Sequence, residues 1–159
     1  MVMPIVAHAQ RALLIAGAAA LFLGAFAACA AASTPWALIA RKAVGRVEQL
    51  SQAPKGDQPG FDVATVVLDA DAAKVYATAT GMLHRNQQVQ VVAEDPAHRT
   101  VNFSNGIRTA AITVNDLGPH LSQMVVAAAV MPGQASATAQ IVDGILRVCQ
   151  QMKVACSAR

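Results

Sequence analysis

Alternation and helical spacing divide the chain into a row of short elements. Asp62–Leu68 (DVATVVL) is apolar and β-branched, which predicts a strand. Asp69-Ala70-Asp71 interrupts it and offers helix N-caps. Val75, Tyr76, Ala79, Met82 and Leu83 then fall at i, i+1, i+4, i+7 and i+8, one face of a helix ending near His84–Asn86. Val89–Ala93 predicts a second strand, and Glu94–His98 a turn with Pro96 after Asp95. Thr100–Ser104 alternates, with Val101 and Phe103 on one face, as in a half-buried strand. Asn105-Gly106 predicts a tight type I′ hairpin turn, with Ile107–Val114 as the return strand. After a turn at Asn115–His120, Leu121–Val130 carries no charge, so it should be central or covered on both faces. Pro132-Gly133 closes that strand and Ser136 is placed to cap a last helix. Ala137, Ile141, Ile145, Val148, Cys149 and Met152 mark its buried face, and the chain is expected to fray beyond Lys153.

The order is strand, helix, four strands, helix. Short turns make successive strands antiparallel neighbours. The expected fold is therefore α+β: a four- to five-stranded antiparallel meander with two helices on one face, over residues 61–159. Residues 29–60 read as a lead-in. Thr34-Pro35-Trp36 starts a helix expected to run to Ser51, along a membrane surface, packed on the domain or standing as a helical stalk. Ala53–Gly60, rich in Pro and Gly, reads as a linker.

Before that, Ala12 to Ala32 is uncharged and follows His8 and Arg11. A weakly basic start, an apolar stretch and a small-residue end are the pattern of a secretory signal. The run contains Phe26-Ala27-Ala28-Cys29, the small-small-Cys ending that a lipoprotein signal peptidase cuts, with the lipid carried by Cys29. Residues 1–28 are thus expected to be a lipoprotein signal peptide. Two other readings stay open: an ordinary cleavage that releases a soluble periplasmic protein, and an uncut anchor helix in the inner membrane.

Composition adjusts this picture only in part. The net charge of +3 is small and the basic residues are scattered, so nothing supports nucleic-acid binding. Aromatic residues, at 4%, are too few for base-stacking or sugar-binding platforms. Cys149 and Cys156 are the two cysteines downstream of the leader, and in an exported chain they are expected to pair as a disulfide. An unbroken helix would hold their Cα atoms roughly 10 Å apart, so the helix must end near Met152 and the chain turn back.

The segment Phe61–Leu68, the cap-like Asp69-Ala70-Asp71, the helix carrying Val75 and Tyr76, and the Ser104-Asn105-Gly106 hairpin resemble a group of small bacterial envelope lipoproteins of unknown function. The resemblance spans Phe61 to Met152. It implies an exported, membrane-tethered, non-catalytic module with one compact α+β domain, and it implies no site residues.

The residues that could carry chemistry do not form a pattern. His84, His98 and His120 fall at a helix end and in turns, without metal-ligand spacing. Asp69 and Asp71 are better read as caps than as an acid–base pair, and Glu94-Asp95 as a solvated turn. Cys149, on a buried helix face, is poorly placed for a reactive thiolate. The expectation is no catalytic residue, no metal and no cofactor, with Cys29 as the lipidation site. The chain is read as an envelope lipoprotein facing the periplasm, held to the membrane by its lipid or anchor, and acting as an interaction module with an envelope protein partner. The alternative is a small apolar ligand or lipid binder that uses a cavity between sheet and helices.

Overall fold

A computed structural model describes residues 43–158. The signal or anchor segment, Cys29 and residues 35–42 of the helix expected from Pro35 to Ser51 lie outside the described residues. Among the described residues no helix is long and apolar enough to cross a membrane.

The elements run β1 (Arg46–Gln52), β2 (Gly60–Leu68), α1 (Ala72–Arg85), β3 (Gln90–Asp95), β4 (Thr100–Ser104), β5 (Thr109–Gly118), β6 (Leu121–Val130), α2 (Thr138–Met152) and β7 (Ser157–Ala158). They form one seven-stranded sheet in the order β3-β4-β5-β6-β2-β1-β7. Every pairing is antiparallel except β1 with β7, which is parallel. This corrects the expected four- to five-stranded meander: the sheet is mixed and has a strand at each end of the domain that the sequence did not announce.

β1 is the first difference. Val44, Val47 and Leu50 sit at helical intervals, and a helix was expected through Ser51. Instead Val47↔Val66 through Gln52↔Phe61 pair across an antiparallel ladder. Only Val47 enters the core, while Leu50 is exposed. A short segment of mixed propensity takes the conformation its neighbour completes, and the free edge of β2 supplies the hydrogen bonds. The Pro- and Gly-rich stretch after Gln52 is then the loop of a β1–β2 hairpin, closed by paired backbone bonds between Lys55 and Gln58, rather than a linker.

β7 is the second difference. Lys153 takes the left-handed conformation at the end of α2 (φ 59°). Its N–H donates to the Gln150 carbonyl, and that of Val154 donates to the Cys149 carbonyl. These two bonds are a Schellman ending, and they turn the chain back. The returning tail lies beside β1, where the Ser157 N–H donates to the Gly45 carbonyl at 2.7 Å. Gly45 is required here: its φ is +75°, and a Cβ would lie 2.3 Å from the Ala155 carbonyl oxygen.

Both helices cover one face of the sheet, α1 over the β5–β6 half and α2 over β2, β6 and β1. Between them and the sheet sit Val66, Leu68, Val75, Val101, Met124 and Ile145, all at 1% exposure or less. Burying one such side chain contributes about 1.5–3 kcal/mol. β6 is central as its charge-free sequence suggested, but only its helix-side face is fully covered.

Candidate ligand-binding cleft

The two helices do not close over the sheet along their whole length. Between them lies an open cleft of about 840 Å³. Its floor is the helix-side face of β4, β5 and β6, where Phe103, Ala110, Ile112, Val126 and Ala128 alternate inward. One wall is the second half of α1, with Ala79, Met82 and Leu83. The other is α2, with Ile141, Gly144, Ile145 and Val148. Small residues leave the space: nothing lies within 4 Å of a Cβ built on Gly144. The expected cavity between sheet and helices is thus present under the C-terminal half of α1, as a cleft open to solvent rather than an enclosed chamber.

Register places the mouth. The Ser104↔Thr109 and Gly60↔Val130 pairs put the β4–β5 loop, the end of β6 and the start of β2 at one end of the sheet. The β4–β5 connection is a four-residue loop, Asn105–Arg108, rather than the two-residue type I′ turn that Asn105-Gly106 suggested. Asn105 Oδ1 accepts from the N–H groups of Ile107 and Arg108, at 3.1 and 2.8 Å, so the Asn side chain builds the wider turn. The loop is tied to the segment before α2. Arg108 Nη2 donates to the Ala135 carbonyl at 2.5 Å, and Gln134 Nε2 to the Ile107 carbonyl at 3.3 Å.

The wall formed by α2 is anchored by a residue that the sequence reading passed over. Asp62, on β2, is 3% exposed. Its Oδ2 accepts from the Ala137 N–H at the start of α2 and from Ser136 Oγ, the latter at 2.9 Å. A carboxylate at a helix N-terminus satisfies an orphan donor and opposes the positive end of the helix dipole. Desolvation by burial pushes the Asp62 carboxyl up, but hydrogen bonds from Ser51, Ala137, Ser136 and Thr138 together outweigh it and hold the group below its ordinary value. Ser136, expected to cap α2, lies one residue before the N-cap position, which Ala137 occupies, and its Oγ accepts from the Thr138 N–H at 3.1 Å. The signal available in sequence was an Asp at an inward position of an alternating strand, in register with Ala64, Val66 and Leu68.

The other chemistry-bearing residues are dispersed. Each of the three described histidines meets a carboxylate: His84–Glu94 at 2.5 Å, His98–Asp95 at 2.6 Å and His120–Asp71 at 3.1 Å. None of these six residues lines the cleft. The His98 ring and backbone N–H hold the Asp95 carboxyl below its ordinary value. Asp71 occupies the N-cap position of α1 without a side-chain cap bond, so the capping role expected of it goes unfilled while it pairs with His120. It also borders a shallow groove with Arg99 and Asp116. Burial pushes the Tyr76 hydroxyl up, with the charges of Glu94 and Asp95 adding to the shift. Among the described residues no three His, Cys, Asp or Glu side chains converge as a metal site. Cys149 and Cys156 are brought together as a disulfide pair, with Cα atoms 6.1 Å apart.

No family model and no curated relative matches the chain. Similar solved structures include a conserved protein of unknown function from Enterococcus faecalis, at 8% identity and a TM-score of 0.47, covering 65% of this chain and 77% of that one. CalU16 from Micromonospora echinospora shares 9% identity at a TM-score of 0.44, over 67% and 83% of the two chains. The Zhui aromatase/cyclase from Streptomyces sp. R1128 shares 14% at a TM-score of 0.35, over 67% and 87%. Likenesses this partial assign neither a family nor an activity.

Proposed function

We propose that this domain is a non-catalytic binding module that holds a small apolar molecule in the cleft between α1, α2 and β4–β6. The chain is held at the envelope membrane, facing the periplasm, through a lipidated Cys29. The observation that carries the binding reading is the cleft itself. Its volume of about 840 Å³ falls within the roughly 300–1,000 Å³ of small-molecule sites, and its floor is apolar, while Asn86, Gln88, Gln140 and Gln151 add polar groups along the walls. The non-catalytic reading follows from where the titratable groups lie. Each histidine–carboxylate pair is solvent-exposed and away from the cleft, so none has the desolvated setting that tunes a catalytic acid or base. An envelope protein partner is the weaker reading. The open edge of β3 could accept a strand, but β3 is bulged between Val91 and Ala93 and ends in Glu94-Asp95, and both features oppose edge pairing.

Two methionines of the cleft, Met82 and Met124, make the test site-resolved. The full chain, carried in phosphatidylcholine nanodiscs and labelled at its methionine methyl groups, is titrated with dodecanol and followed by NMR. Saturable shifts at Met82 and Met124, with Met152 unmoved, are expected. Gly144→Leu fills the open space in the cleft wall and should abolish them. Absence of saturation at both cleft methionines in the unsubstituted protein would overturn the binding reading.

A further inference from the structure

The cleft's floor is apolar, but the charges that line the cleft are of a single sign. Arg85 from α1, Arg108 from the β4–β5 loop and Arg147 from α2 all line it, and no Asp, Glu, Lys or His does. Among the described residues none of the three guanidinium groups has a carboxylate within ion-pair distance, since the carboxylates found in ion pairs are those that meet histidines. Asp62, the acid on the strand next to the loop preceding α2, is already committed to Ala137 and Ser136. Arg108 is the most constrained of the three. Its Nη2 is bound to the Ala135 carbonyl, and its Nη1 is shielded from solvent with no acceptor. A guanidinium carries five N–H donors in a fixed fork, and the Ala135 carbonyl takes up one of them.

Resting on the binding reading above, we propose that the ligand is an amphipathic anion. Its apolar body lies against β4–β6, and its carboxylate or phosphate group is held at the rim by Arg108 together with Arg85 and Arg147. An all-apolar ligand would fill the floor and leave three cations facing it. A cationic amphipath would meet like charge on three sides. Arginine is also the side chain whose geometry suits both candidate head groups, because its fork matches the oxygens of carboxylate and phosphate alike. Arg85 and Arg147 are exposed and free to adjust, whereas Arg108 is pinned through Ala135. The pinned group would set the position of the anion and the two exposed ones would complete the contact.

The same methionine-labelled full chain in phosphatidylcholine nanodiscs tests this with four probes of one chain length: laurate, dodecyl phosphate, dodecanol and dodecyltrimethylammonium. The two anions are expected to saturate Met82 and Met124 at concentrations at least about tenfold below dodecanol, a preference of about 1.4 kcal/mol. The cation is expected to bind no better than the alcohol. Whichever anion binds more tightly identifies the head group as carboxylate or phosphate. Arg108→Gln should remove most of the preference of the two anions over dodecanol. Because that residue also holds the loop before α2, the exposed pair Arg85→Gln with Arg147→Gln is tested separately and should reduce the preference with the fold intact. Equal affinity for laurate, dodecyl phosphate and dodecanol would overturn the proposal while leaving the cleft reading in place. So would a preference that survives all three substitutions. Failure of every probe to bind would instead remove the cleft reading on which the proposal rests.

Discussion

Asp62 offers the sharpest test of how this fold is held together. Asp62→Ala deletes the acceptor that α2 uses at its first turn and leaves the Ala137 N–H buried without a partner. Loss of a hydrogen bond to a charged group is worth about 1.5–3 kcal/mol. The favourable interaction with the helix dipole adds up to about 2 kcal/mol in a partly buried setting. The two overlap, so the expected loss is about 2–4 kcal/mol. Asp62→Asn keeps an acceptor oxygen but not the charge, and should cost about 1–2 kcal/mol. The pH dependence has a definite sign. The folded-state pKa lies below its ordinary value, so the Asp62 contribution is fully present above the unfolded value of about 4. It is lost as pH falls through the depressed folded value. Urea unfolding of the full chain in nanodiscs, followed by α-helical circular dichroism from pH 6 down to pH 2, reads both effects. Asp62→Asn should lower stability at pH 6 and flatten its decline below about pH 4. An Asp62→Ala variant within 0.5 kcal/mol of the unsubstituted protein, or an unchanged acid slope in Asp62→Asn, would refute the capping argument.

Three further outcomes are expected. Cys149 and Cys156, separated by 7 positions, close a loop worth about 2.5 kcal/mol in the chain-entropy account; reduction should lower stability by that order, and two freely alkylated thiols in the exported, unreduced protein would contradict the pairing. Gly45→Ala combines a positive φ with a Cβ 2.3 Å from the Ala155 oxygen and should cost about 2–4 kcal/mol in a denaturation series. Gly106→Ala, with φ +84° but open space, should cost only about 1 kcal/mol, and equal losses at the two positions would argue against the close approach. Cys29→Ala should abolish lipid attachment and leave the leader uncut or the protein released, read by mass spectrometry of the mature chain; an unlipidated native protein would remove the tether from the proposal.

Most of the individual elements could be read from sequence because their pattern is local. Thr100–Ser104 and Leu121–Val130 were expected with the bounds they have, and α1 and α2 lie where their apolar faces put them. Period-two and helical spacing need no knowledge of the rest of the chain, since each only requires one face to be buried. The two terminal strands were not legible, for a different reason. Arg46–Gln52 has one buried side chain, Val47, and Ser157–Ala158 has none. Their conformation is set by hydrogen bonds to a partner strand, and a strand that buries little on its own account leaves no periodic mark. The cleft belongs to the same class. Its lining residues read as ordinary core positions, and whether Ala79, Ala110, Ala128 and Gly144 fill a gap or leave one depends on how far apart the two helices cross the sheet. The three arginines lie 62 positions apart from first to last (Arg85 to Arg147). The sequence alone determined which faces must be buried. Only the tertiary structure decided which of those faces stay partly open, and which charges stand beside the opening, because both depend on distances between segments that no local pattern encodes.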